Sequence, residues 1–354
     1  MRFCLPFFVG LALFCGTLKA QTEVRMQEVC SAAQMPGLAW VHCNADTVLS
    51  EGAVGVSKRG RAAKLHVTQA MRVGSLTKWF STLIIEKAIQ AGVIRGNTRF
   101  FDCFPTWKSN SLKAYHNLRL SDLVAMRSGL PSYTYTHAEP AAGSFTGNAQ
   151  ERRLQFLQWC FQQHPVSKPR RSYRFCNPAF VAAIAMLEVR SHTPFRQAMA
   201  RLLEPLHMVP QWGQPNASDT NAVWGHTGIG IPESPAQPEA LEWLDPAGNL
   251  CLSPHDLGRC VQHWLKAARG TPSPLVSAEQ VQQVLRYRSG FHGGWFITQS
   301  ASGTPYLQHL GNPGSFLCLV QIAPAKGEAV VLMCNIQNQA VTEALQHLAL
   351  EMLE

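Results

Sequence analysis

Ser75 and Lys78 are the residues whose types and spacing point most directly to chemistry. They lie in Gly74-Ser75-Leu76-Thr77-Lys78, at the head of a periodic apolar stretch. On a helix, positions three apart share a face, so the Lys78 amine meets the Ser75 hydroxyl. A serine hydroxyl is a poor nucleophile at neutral pH. A nearby amine can remove its proton, provided desolvation or other positive charge lowers the amine's pKa. A serine at a helix N-terminus also gains from the dipole, and backbone N–H groups there can face a developing oxyanion. The bland alternative is a capping serine beside a solvated lysine. Chance copies of S-x-x-K are common, although this chain contains only one.

The elements that would position this pair can be read from periodicity and turn residues. A helix is predicted over Thr22 to Gln34 and is broken by Met35-Pro36-Gly37. Leu38 to Cys43 and Thr47 to Val56 read as a strand pair. Ser75 opens an amphipathic helix that stops at Ala91-Gly92. From about Phe101 to Leu244 the signals are helices and loops. Ser121 reads as a cap for a helix ending at Ser128-Gly129, Asn177-Pro178 as another helix start, and Ser253-Pro254 and Ser277 as later caps. Strands return over Gly290 to Gln299, Tyr306 to His309, Ser315 to Ile322 and Glu328 to Asn335, before a last helix from about Ala340 to Leu353. Strands at both ends with helices between predict an α/β lobe from about 21–100 and 245–354 and an inserted helical lobe over about 101–244.

Composition narrows the class. Met1-Arg2, the apolar run Phe3 to Gly16 and Leu18-Lys19-Ala20 read as a signal peptide over residues 1–20, cleaved before Gln21. The expected location is periplasmic or secreted. Cys15 raises lipid anchoring, but bulky Phe14 precedes it, where lipoprotein signals favour a small residue. No later run is long and apolar enough for a stable membrane span. The formal net charge is +9, without a dense basic run interleaved with aromatics. That favours anionic partners such as cell-wall fragments or a membrane surface over nucleic acid. Cysteine and histidine spacings suit no metal site, and no cofactor is implied. If the Pro-Ala-Lys-Gly turn centres near Lys326, Cys318 and Cys334 lie opposite each other, either as a disulfide or as two reduced thiols.

Pro36-Gly37, Met71 to Lys78, Ser128-Gly129-Leu130-Pro131, Phe175-Cys176-Asn177, Pro246 to Leu250 and His309-Leu310-Gly311 followed by Asn312-Pro313-Gly314 occur in this order. Together they resemble the serine β-lactamase and penicillin-binding-protein family, which includes class C β-lactamases, related esterases and D-amino-acid-specific peptidases. The resemblance runs from roughly Cys30 to the C-terminus. It implies an α/β (α+β) fold: an antiparallel sheet flanked by N- and C-terminal helices, plus a helical lobe. It also implies Ser75 as acylated nucleophile, Lys78 as its base, and Asn177 bonded to Lys78 and substrate. His309 and Gly311 would line the cleft, and the N–H groups of Ser75 and Asn312 would form the oxyanion hole.

One position departs from the family pattern. The family tyrosine is Phe175, and a phenyl ring cannot exchange protons. Tyr173 is a possible substitute, but two residues along an extended segment is a displacement of ~7 Å. The expected function is a serine hydrolase acting on an amide or ester of a small molecule or peptide. His309, in place of a charged lysine, favours an esterase or D-amino-acid peptidase over an efficient β-lactamase. The alternative is a catalytically impaired penicillin-binding or cell-wall-binding protein of the same fold.

Overall fold

A computed structural model describes residues 7–134, 140, 144–235, 242–299 and 303–354, with the side chains of 7–19 outside that description. In chain order the first elements are α1 (Phe7–Ala32), β1 (Gly37–Asn44), β2 (Val48–Gly55), β3 (Met71–Arg72) and α2 (Thr77–Gln90). The helical middle follows: α3 (Phe100–Cys103), α4 (Leu120–Val124), α5 (Ala149–Cys160), α6 (Asn177–Ser191) and α7 (Phe195–Leu203). Then come β4 (Gln211–Trp212), α8 (Asp245–Gly248), β5 (Leu250–Leu252), α9 (Pro254–Ala268) and α10 (Ala278–Leu285). The chain closes with β6 (Gly290–His292), β7 (Trp295–Gln299), β8 (Pro305–Gly311), β9 (Leu317–Ala323), β10 (Glu328–Cys334) and α11 (Gln339–Leu353).

Seven strands form one antiparallel sheet in the order β2-β1-β10-β9-β8-β7-β6. Its central strands are apolar on both faces, so both faces need cover. Leu38 and Trp40 of β1 pack with Met26 of α1 and with Val341 and Leu345 of α11. Ala39, Val41 and Cys43 point the other way, into the cluster holding α2, α6 and α9. A strand's two-residue period produces this division. A small second sheet, β3-β5-β4, ties the segment before Ser75 to Cys251 and Leu252. The mixed fold, antiparallel sheet and flanking terminal helices match the expected fold class.

Capping chemistry places several helices. Ser253 Oγ accepts from Asp256 N at 3.0 Å, and Pro254 occupies the first turn of α9. Ser277 and Gln280 make the reciprocal box that starts α10. Asn177-Pro178 opens α6 as predicted.

Four local expectations are corrected. Ser121 is not a cap: α4 begins at Leu120, and Arg119 is the cap residue, its N–H donating to Asp122 at 3.0 Å. The strand expected over Gly290 to Gln299 is split at Gly293-Gly294, both at positive φ, into the β6–β7 hairpin. The first helix starts well before Thr22, at Phe7, because nothing between there and Ala32 breaks it. Cys318 is paired with Met333, and Cys334 with Leu317. That one-residue offset turns the two thiols to opposite faces of the sheet. All nine described cysteines are free.

Candidate active site

Ser75 sits in a 3₁₀ turn, Gly74–Leu76, that feeds directly into α2. It is partly exposed, whereas Gly74, Leu76, Thr77 and Lys78 are buried. Thr77 fixes the turn: its Oγ1 donates to Gly74 O at 2.7 Å and accepts from Leu250 N at 3.3 Å. On the next turn of α2, Ser81 Oγ donates to Pro246 O at 2.7 Å. These bonds hold the start of α2 against the 246–250 segment.

Lys78 is fully buried beneath Ser75. Its Nζ lies 3.1 Å from Ser75 Oγ, 2.7 Å from Asn177 Oδ1 and 2.6 Å from Ala247 O. Those three acceptors match the three donors of an ammonium group. Desolvation by burial lowers the Lys78 pKa to about 7. The neighbouring Cys176 thiol gives no counter-charge near pH 7, since burial raises its own pKa to about 11. Near neutrality, then, a substantial fraction of the amine is uncharged. An uncharged amine has two donors and one lone pair. The shorter contacts, to Asn177 and Ala247, keep the donors, and the lone pair faces the Ser75 hydroxyl.

Asn177 is held as firmly as the lysine. Its backbone N–H donates to Ser132 O at 3.0 Å and its Nδ2 donates to Tyr133 O at 2.8 Å. That second bond orients the side-chain oxygen toward Lys78. Tyr133 itself has φ +44, an uncommon value for a non-glycine residue.

Two glycines let β8 approach the nucleophile turn. A Cβ on Gly311 would collide with the Val73 carbonyl. One on Gly74 would come within 2.8 Å of Asn312 N and 2.9 Å of the Gly311 carbonyl carbon. This packing brings the Ser75 and Asn312 backbones together at a small cleft of about 60 Å³. Ser75, Asn177, Asn312, Tyr133, Arg72 and Asn249 line it. No group of three or more potential metal ligands occurs among the described residues.

The structure does not bring every expected site residue to the cleft. His309 is fully buried among Phe291, Trp295 and Phe296, near enough for the Lys78 charge to act on it, but it is not among the cleft-lining residues. Alternation explains this: Gly311 abuts the Ser75 turn, and His309 lies on the same, inward face of the strand. Its Nδ1 lies 2.6 Å from Gly294 O, so that nitrogen carries the proton. Burial drops its pKa to about 3, leaving the ring neutral. Tyr173 is 48% exposed and is not among the cleft-lining residues. The Phe175 ring, by contrast, is centred 4.8 Å from Lys78 Nζ.

The Beta-lactamase family profile matches residues 20–351. The chain belongs to the β-lactamase family. Protein flp of Staphylococcus aureus strain N315 is 21% identical over 314 residues, covering 86% of this chain and 60% of its own length. The chain thus spans about 60% of that relative. Penicillin-binding protein 4 of Amycolatopsis lactamdurans is 22% identical over 335 residues, covering 89% of this chain and 85% of its own. In three dimensions, the octameric penicillin-binding protein homologue from Pyrococcus abyssi superposes with a TM-score of 0.78 at 18% identity, over 95% of this chain and 77% of that one. At that identity the likeness shows the fold.

Within this β-lactamase fold, three contributors at the cleft were not singled out from sequence. They are the Ala247 carbonyl, Tyr133 and Arg72. Arg72 is 4% exposed, and its Nη1 donates to Pro313 O at 3.1 Å while Nη2 reaches Asn249 Oδ1 at 3.4 Å. It ties the loop after Asn312 to the 245–250 segment. The only signals were proximity in sequence to Ser75 and to Pro131, and membership of the Pro246–Leu250 run.

Proposed function

We propose that the chain is a serine hydrolase that forms an acyl-enzyme at Ser75, cleaving esters more readily than amides and β-lactams. The observation that carries this reading is the fully buried Lys78 amine, 3.1 Å from Ser75 Oγ, with its pKa brought down to about 7. Uncharged Lys78 takes the Ser75 proton as Oγ bonds to the substrate carbonyl carbon. The carbonyl oxygen becomes an oxyanion facing the Ser75 and Asn312 N–H groups. Collapse of that intermediate breaks the bond to the leaving group and leaves an ester on Ser75. The leaving group receives the proton held by Lys78. Water then attacks the ester by the same route and frees Ser75.

Phe175 shapes the substrate preference. An amide's leaving nitrogen must be protonated as it departs, and with no phenol at position 175 only Lys78 supplies that proton. An ester's leaving oxygen is less demanding. The neutral, buried His309 supplies no fixed charge for a β-lactam or peptide carboxylate. It acts instead as a positioning residue, joining β8 to the Gly294 turn that packs on α2.

A substrate comparison tests this. Hydrolysis of p-nitrophenyl butyrate, D-alanine p-nitroanilide and nitrocefin is measured for the wild type and for Ser75→Ala. Ester cleavage is expected to have the highest kcat/KM and to vanish in Ser75→Ala. Nitrocefin turned over faster than the ester, or an ester activity that survives Ser75→Ala, overturns the proposal. A second reading, penicillin capture without release, is favoured by the Phe175 substitution alone. It predicts one stable penicillin adduct per chain and no ester turnover.

A further inference from the structure

We propose that the Thr227–Ile231 loop and the basic residues packed around it form a docking face for an anionic lipid surface. Ile229 is 81% exposed and Ile231 57%. Two large aliphatic side chains this open, at the tip of one loop, are not the scattered apolar exposure of an ordinary surface.

The loop holds them in place. Thr227 N donates to Ile231 O at 2.8 Å, and Gly230 N donates to Thr227 O at 2.7 Å. Asn338 Nδ2 donates to Gly228 O at 2.8 Å, fastening the loop to the start of α11. Next to the loop, His226 Nδ1 lies 2.7 Å from Asn335 O and its Nε2 accepts from Arg59 N at 3.0 Å. The exposed isoleucines therefore ride on a braced turn.

Cations surround the tip. The Arg59 guanidinium packs directly on Gly230 and donates from Nη2 to Gln34 O at 2.8 Å. Lys58 Nζ sits 3.1 Å above the Trp224 ring, and Lys58 opens the turn that closes at Arg61 N→Lys58 O. The neighbouring acids are Asp219 and Glu233, and Asp219 is engaged in capping Asn221 N at 2.9 Å. Lys58, Arg59 and Arg61, whose charge acts on Lys58, outnumber these two acids and leave the face basic.

This combination fits a bilayer interface better than a protein partner. Aliphatic side chains at a tip, a half-buried indole and a ring of Lys and Arg match the acyl boundary and headgroups of an anionic membrane. A stable protein interface needs roughly 800 Å² per partner, more than one loop tip presents. The root of the loop is tied to the segment that follows Asn312, where His226 N donates to Ser315 O at 3.2 Å. Docking through the loop would hold the segment that follows Asn312 near the membrane surface.

The test labels the tip itself, so that the N-terminal apolar segment cannot produce the signal. The full chain carrying Ile229→Cys is tagged with an environment-sensitive nitrobenzoxadiazole dye, with Val209→Cys, another highly exposed loop position, as the control. Phosphatidylglycerol vesicles are expected to blue-shift and brighten the label at 229 and leave that at 209 unchanged. Phosphatidylcholine vesicles are expected to give little response at either. Lys58→Gln with Arg61→Gln should weaken the response roughly five-fold for each charge removed. Ser75→Ala should leave it unchanged. No shift at 229, equal shifts at both positions, or an equal response to both lipids overturns the proposal. So does self-association, seen by light scattering, that Ile229→Ser with Ile231→Ser abolishes, since a second copy then occupies the face.

Discussion

Replacing Lys78 with methionine is expected to slow acylation of Ser75 by roughly 10²–10⁴-fold, the usual contribution of a general base. Methionine keeps the apolar stem and removes only the amine that faces Ser75 Oγ, Asn177 Oδ1 and Ala247 O. The variant also has a signature in pH. With the Lys78 pKa at about 7, the wild-type acylation rate should climb with pH below neutrality and level off above it. In Lys78→Met that slope should disappear. Stability carries a matching mark. Folding lowers this lysine from 10.5 to about 7, so between those values the unfolded chain binds the proton and the folded chain does not. Stability from this group therefore rises with pH across that window, and its burial penalty is fully present below it. Lys78→Met should lose this contribution. Stopped-flow acylation and melting curves across about pH 5.5–11.5, which brackets both pKa values, check the two together. An unchanged acylation rate would show that the lysine is structural.

Phe175→Tyr is expected to act in the opposite direction. The Phe175 ring already lies against Lys78 Nζ, at 4.8 Å, and follows the extended approach to α6. A hydroxyl added there brings a second proton-exchanging group to the site. Amide and β-lactam turnover should rise by roughly 10²-fold, the lower end of what a general acid–base group supplies. The gain should exceed that for esters, whose leaving groups need less help. Burst kinetics separate the steps, and release from Ser75 should accelerate more than its acylation. Tyr173→Phe should change neither, because Tyr173 lies open to solvent away from the cleft. Loss of activity in Tyr173→Phe, with no gain in Phe175→Tyr, would contradict this account of position 175.

The Ser75–Lys78 relation was legible in sequence because it is local: three residues along a helix fix which groups meet. Asn177 needed the family pattern, since nothing in the sequence brings it to Lys78. The helix caps at Ser253 and Ser277 were legible for the same local reason as Ser75, whereas Ser121 was not a cap. There, the Arg119 N–H pairs with Asp122, and a side-chain acceptor one turn on decided the start. Strand parity was the other weak point. Cys318 and Cys334 depended on where a four-residue turn is centred, and a one-residue offset sends them to opposite faces. His309 shares the inward face of β8 with Gly311, but its burial among Phe291, Trp295 and Phe296 depends on tertiary packing that the strand pattern does not carry. The Ala247 carbonyl and Arg72 were beyond reach, because a backbone acceptor 169 residues away and a buried guanidinium bridging two loops are tertiary facts.

The central claim is that Ser75 is a live nucleophile. Intact-protein mass after incubation with a fluorophosphonate, followed by peptide mapping, tests it most directly. The account predicts one adduct per folded chain, on the peptide containing Ser75, absent in Ser75→Ala. Folded wild-type protein that takes no adduct, or takes it on another residue, would contradict it.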